Sequence, residues 1–170
     1  MTTELETIDS IIKRLESDDG IIRVKAREAL VTQGKVAVPP LIEAMKNRHD
    51  WTRWEAVKTL ADIRDSTATR ALIDALEDHE FSIRWLAAEG LINIGSSSME
   101  PLLKALIDRP RSSWLKEGAH HVLHDLREPK LRPLLKTVIS AIEDVDSNLK
   151  VPIAAKSALD VIRQGYSKSD

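Results

Sequence analysis

Two stretches of this chain are copies of one another, and that fact limits the fold more than any other. Asp50 to Leu76 reads DWTRWEAVKTLADIRDSTATRALIDAL, and Glu80 to Leu106 reads EFSIRWLAAEGLINIGSSSMEPLLKAL. With Arg53 set on Arg84, Ala56 falls on Ala87, Leu60 on Leu91 and Ile63 on Ile94. A period of about 31 residues, read before anything else, points to stacked supersecondary units.

Two columns carry the period along the chain. A basic key falls at Arg23, Arg53, Arg84 and Lys116, in steps of 30, 31 and 32. A second key falls at Pro40, Ala71, Pro101 and Pro133, in steps of 31, 30 and 32. The first marks a leading helix with apolar residues at helical spacing; the second opens a trailing helix, where proline is tolerated in the first turn. Gly34 is a stop signal between the two in the first unit. Residues 3–17 are expected to form a capping helix, with Thr3 and Glu6 as a capping box and Leu5, Ile8, Ile12 and Leu15 on one face. Repeats follow at about 18–47, 48–78, 79–109 and 110–145, then a lone C-terminal capping helix over 146–164 and a polar tail over 165–170; the lone helix reads as a fifth leading helix, with Ala155, Ala158 and Leu159 where Ala119, Val122 and Leu123 stand one copy earlier. That is one domain of ten helices. Each pair has an apolar stripe it cannot bury alone, so neighbours must stack. Ala26, Ala56, Ala87 and Ala119 allow close helix approach, and Leu30, Leu60, Leu91 and Leu123 fill the space between layers.

Composition removes several function classes. A net charge of −2 gives no basic field for nucleic acid or an anionic membrane. The absence of cysteine excludes disulfides, thiolate metal sites and a thiol nucleophile, and it suits a reducing, cytoplasmic setting. No run is long enough to span a membrane, and the acidic, amphipathic start is not a signal peptide. No G-x-S-x-G elbow or P-loop occurs.

The pattern R-x-x-A-x-x-x-L, a turn, then P/A-L-L/I-x-A-L resembles the short HEAT-like repeats of the phycobilin-lyase type over residues 18 to 163. The resemblance implies an all-α, right-handed α-solenoid. Proteins with such repeats include phycobilin lyases, a deoxyhypusine hydroxylase, alkylpurine DNA glycosylases and scaffolds. The hydroxylase resemblance would require His-Glu dyads after the basic key, but those positions read Val24-Lys25, Trp54-Glu55, Trp85-Leu86 and Glu117-Gly118. His79-Glu80 falls in a turn between repeats, and the net charge opposes a DNA-glycosylase groove.

The faces away from the core then carry the functional reading. At ~100° per residue, the residue after the basic key lies nearly opposite the alanine column. That stripe reads Val24, Trp54, Trp85, Glu117; then Glu28, Lys58, Glu89, His121; then Val31, Ala61, Ile92, His124. Trp51, Phe81 and Trp114 stand at helix starts beside it, where packing against the loops between repeats competes with a contact role. Exposed tryptophans mark contact surfaces. The expected partner surface is therefore Trp54, Trp85, Glu89, Glu117, His121 and His124, edged by Trp51 and Trp114. Glu117, His121 and His124, at i, i+4 and i+7, share a face and are weak candidates for a divalent metal. A polar surface stripe is the competing reading. These residues point to a non-enzymatic scaffold binding another protein, with no cofactor, nucleic acid or membrane. The alternative is a lyase-like or metal-dependent activity using the histidine stripe.

Overall fold

The computed structural model describes residues 7–126 and 129–166. Within them the chain forms ten α-helices and no strand. They are α1 (Ile8–Arg14), α2 (Gly20–Gln33), α3 (Val38–Ala44), α4 (Asp50–Ile63), α5 (Thr69–Ala75), α6 (Phe81–Ile94), α7 (Met99–Asp108), α8 (Ser113–Asp125), α9 (Arg132–Glu143) and α10 (Ser147–Tyr166). The leading helices α2, α4, α6 and α8 stack side by side, and the trailing helices α3, α5 and α7 lie behind them. The result is an all-α solenoid.

The two small-residue and leucine columns form its core. Ala26, Ala56, Ala87 and Ala119 are fully buried, as are Leu30, Leu60 and Leu91, and Leu123 is nearly so. Alanine at the helix crossing brings backbones close, and leucine one turn on fills the space left between layers.

The basic column has a structural job. Arg23 Nη1 donates to the carbonyls of Ser17 and Asp18 at 2.7 and 3.1 Å. Arg53 Nη1 does the same to Asn47 and Arg48 at 3.0 and 3.4 Å, and Arg84 Nη1 to Asp78 and His79 at 2.9 and 3.1 Å. Each arginine thereby satisfies carbonyls left orphaned where the preceding unit ends. Lys116 has one ammonium in place of a fork, and it reaches forward to Ser147 Oγ and Asn148 Oδ1 at 2.9 and 2.7 Å.

In the first three units the leading helix ends on a residue with positive φ: Gly34 at 63°, Arg64 at 59° and Gly95 at 80°. Short 3-10 turns, Gly34–Ala37, Ser66–Ala68 and Gly95–Ser98, then carry the chain into the trailing helix. Arg64 is the copy that bears a side chain there, at a steric cost of roughly 1–2 kcal/mol. Arg64→Gly is expected to raise stability by up to about 1 kcal/mol, the gain being trimmed by glycine's larger entropy loss. Urea denaturation measures it; a loss of stability would show that the Arg64 side chain contributes more than its backbone strain costs.

The ends depart from the expected layout. The capping box of Thr3 and Glu6, with Leu5, and the tail from Ser167 lie outside the described residues. In the described part α1 starts at Ile8, with Thr7 Oγ1 accepting from Ser10 N at 3.3 Å. At the other end the sequence puts α9 in the trailing row and α10 beside α8. Instead α10 packs mainly on α7 and α9, so it takes the trailing position next to α7. The physical reason lies in the connection: the residue after α8 is Leu126 in extended backbone, not a glycine with positive φ, and no 3-10 turn follows within the described residues. α9 then buries only Leu135, Val138 and Ala141 along one face. α10 starts at Ser147, within a residue of the expected start, and carries Pro152 inside it.

Candidate functional site

The site lies between the outer faces of α6 and α8. Both helices begin with an aromatic residue, Phe81 at the first position of α6 and Trp114 at the second of α8. Ser112 caps α8, accepting from Leu115 N at 3.2 Å, and its own hydroxyl donates to Glu77. That ties the start of α8, and with it Trp114, to the turn after α5. Trp85 follows one turn after Phe81, with ring centroids 6.5 Å apart and planes 39° apart. Trp85 in turn packs on His121 of α8, centroids 4.4 Å apart.

Between these rings and the histidines is a cavity of about 500 Å³, lined from α6 by Phe81, Arg84 and Trp85 and from α8 by Trp114, Glu117 and His121. His120, His124 and Asp125 complete its far end. Gly118 lets α8 come this close to the second unit: a Cβ there would lie 2.7 Å from Leu76 Cδ2 and 3.2 Å from Cγ. The rings are far from fully covered. Phe81 is 59% exposed, Trp85 48% and Trp114 42%.

Each histidine is tied to a carboxylate. His121 Nε2 lies 2.9 Å from Glu89 Oε1, joining α8 to α6, and its Nδ1 lies 3.9 Å from Asp125 Oδ2. His120 Nε2 lies 2.9 Å from Glu143 Oε1 of α9. His124 Nδ1 lies 2.6 Å from Asp125 Oδ1, and the His120 and His124 rings stack at 6.3 Å. Arg84 is held between two rings, its guanidinium carbon 5.5 Å from the Phe81 centroid and 4.7 Å from that of Trp114.

The arrangement gathers Trp85, Trp114, Glu117, His121 and His124, with Glu89 attached through His121. It does not gather Trp51 or Trp54. Trp51 stacks on His49 at 4.5 Å, away from this groove. Trp54 was expected to be exposed and is half-buried against the core, with Arg27 of α2 5.9 Å above its ring. The preceding leading helix covers the face that an isolated helix would offer to water. Glu117, His121 and His124 do share a face, but they do not converge into a metal site. Among the described residues no group of three His, Asp or Glu side chains could hold an ion. The imidazole nitrogens turn to Glu89 and Asp125 instead.

Sequence reasoning missed Phe81 as a wall of the site, and Arg84, His120 and Asp125 altogether. The signal for Phe81 was its place three residues before the basic key, shared with no other copy. Outside the groove, Arg109 is clamped by Asp74 at 3.2 Å and by Glu77. Among the described residues no helix is long and apolar enough to cross a membrane.

A sequence profile of HEAT repeats matches residues 8–92, half of the chain. The chain belongs to the HEAT-repeat family. The chain is similar to phycocyanobilin lyase subunit beta from Nostoc sp. PCC 7120, with 40% identity over 76 residues. That match covers 44% of this chain and 38% of the relative, so it spans well under half of the relative's length. Among solved structures, the complex of CpcE and CpcF of phycocyanin lyase from Nostoc sp. PCC 7120 contains a similar chain. The two superpose with a TM-score of 0.53 at 26% identity, covering 89% of this chain and 96% of that one. The HEAT-like repeats and their phycobilin-lyase type, as well as the all-α solenoid, are therefore as the sequence pattern implied.

Proposed function

We propose that this HEAT chain is a protein-binding scaffold, and that its contact surface is the aromatic groove between α6 and α8. The observation that carries the reading is three half-exposed aromatic side chains, Phe81, Trp85 and Trp114, around one cavity of about 500 Å³ on adjacent rigid helices. Aromatic anchors on a preformed surface bind with little ordering entropy to lose. Glu89, Glu117, His121 and His124 supply the polar rim. Trp51 remains an edge contact in this proposal, and Trp54 supports the face from below. The similar solved chain comes from a complex of two chains, which favours a protein as the occupant.

The test is affinity capture from native extract with the parent chain, a Trp85→Ala/Trp114→Ala double variant and a Trp51→Ala control. A partner held by the parent and the control is expected to be lost from the double variant, since each anchor contributes about 2 kcal/mol or more. Equal capture by all three would remove the groove from the interface.

A second reading rests on a separate observation. The cavity volume lies in the range of about 300–1,000 Å³ typical of small-ligand sites, and the relative sharing 40% identity is a phycocyanobilin lyase subunit. On that reading the groove serves a lyase-type activity, alone or as one of two subunits. Titration with phycocyanobilin tests it: a shifted visible band that Trp85→Ala abolishes supports it, and an unchanged spectrum overturns it.

A further inference from the structure

The arginine column does the same work in three copies, and one copy is left without a counter-charge. Arg23 Nε lies 3.4 Å from Glu55 Oε1 of the next unit, and Arg53 Nε lies 2.8 Å from Asp78 Oδ2. Arg84 keeps the two carbonyl bonds of its column. Twenty-five residues after Arg53 stands Asp78, whereas twenty-five residues after Arg84 the sequence has Arg109. Arg109 is itself held by Asp74 and Glu77. Among the described residues Arg84 therefore has no carboxylate partner. Phe81 and Trp114 flank it instead, and their faces hold the guanidinium plane without neutralising it. It is half-buried and it lines the cavity. A guanidinium fixed in this way, partly shielded from water and without a counter-ion, is suited to a charge-assisted bond with an incoming carboxylate.

The walls indicate the source of that carboxylate. A site for a small molecule covers most of its ligand, about 70–90% of the surface. Here the aromatic walls are half-exposed along two parallel helices, an open trough in which a chain segment can lie. We propose that the partner docks an acidic side chain on Arg84 and sets a neighbouring aromatic residue against Trp85. The inference rests on the groove being a protein-contact surface. Glu117 lines the same trough and, among the described residues, has no ion pair of its own. It repels a carboxylate placed farther along, so the acid is confined to the Arg84 end.

The test uses the full chain and two blocked hexapeptides, Ser-Gly-Asp-Phe-Gly-Ser and its Asn counterpart, followed through the four tryptophan indole N–H resonances. The Asp peptide is expected to move the Trp85 and Trp114 resonances and leave Trp51 in place. The Asn peptide should bind about tenfold more weakly. Arg84→Gln should erase the difference between the peptides, with unshifted Trp51 and Trp54 signals reporting an intact fold. Glu117→Gln, which removes no turn contact, should tighten the Asp peptide by about threefold. Equal binding of the two peptides overturns the acidic partner but leaves the groove as a contact surface. No shift with either peptide also overturns it, while the capture experiment separately decides the scaffold. If 1-naphthoate moves the same signals in an Arg84-dependent way and the Asp peptide does not, the occupant is a small aromatic acid and the peptide is overturned.

Discussion

Leu60→Ala is expected to lower the free energy of unfolding by about 2–5 kcal/mol. Leu60 is fully buried on α4, and α4 packs on α2 on one side and on α6 on the other. The loss has two parts: the transfer energy of the removed carbons and the cavity they leave. Relaxation to fill that cavity is opposed from both sides, because the neighbouring layers are held by the same column at Leu30 and Leu91. A solenoid couples each unit only to its neighbours, so a central defect also weakens the communication between the two ends. The m-value in urea should therefore fall together with the midpoint as the two halves begin to unfold separately. Leu159→Ala supplies the contrast. Leu159 is buried on the terminal helix α10, whose outer face is open at Leu149 and Ile153, so the site can collapse and the cost should be the smaller of the two. Equal costs would mean that packing, not position in the stack, decides the penalty.

What could be read from the sequence was whatever repeats. The alanine and leucine columns are periodic because each copy must pack on the next, and they are buried where the period puts them. Properties that break the period were harder to see. Trp54 was misplaced because a helical wheel knows only its own helix, whereas Arg27 comes from the helix before. α10 looks like a leading helix on the strength of Ala155, Ala158 and Leu159, but α8 ends on Leu126 in extended backbone, without the positive-φ residue that ends α2, α4 and α6. The spacing of Glu117, His121 and His124 gave a common face correctly. It could not show that the rings turn toward Glu89 and Asp125 instead of one point. Arg84 looked like another structural key. Only its lost counter-charge, Arg109 in the place of Asp78, distinguishes it.

The second large effect is expected at Arg53 and Asp78, the pair that closes the turn between the second and third units. Arg53 Nε and Nη2 donate to Asp78 Oδ2 and Oδ1 at 2.8 and 3.1 Å, a two-pronged pair with side chains only 8% and 13% exposed. Glu80 N donates to Asp78 Oδ1 at 2.9 Å. Arg53→Leu leaves that carboxylate shielded from water without its guanidinium partner, and frees the Asn47 and Arg48 carbonyls, so a loss of about 3–5 kcal/mol is expected. Asp78→Asn keeps the shape and removes the charge, and should cost less, about 1.5–3 kcal/mol. The pH dependence separates charge from packing. Burial pushes the Asp78 carboxyl up, but the Arg53 bonds, the Glu80 N–H and the Arg53 and His79 charges outweigh it, leaving it below its ordinary 3.8. A carboxyl whose value is depressed by folding contributes stability above its unfolded value and loses it as pH falls through the folded one. Arg53, held above its ordinary value chiefly by the Asp78 bond, stays charged throughout that window. The gap between the parent and Asp78→Asn should thus be full at neutral pH and shrink steadily below about pH 4, as measured by urea midpoints in a series of buffers. A gap that holds constant into acid would assign the cost to the geometry of the turn and not to the ion pair.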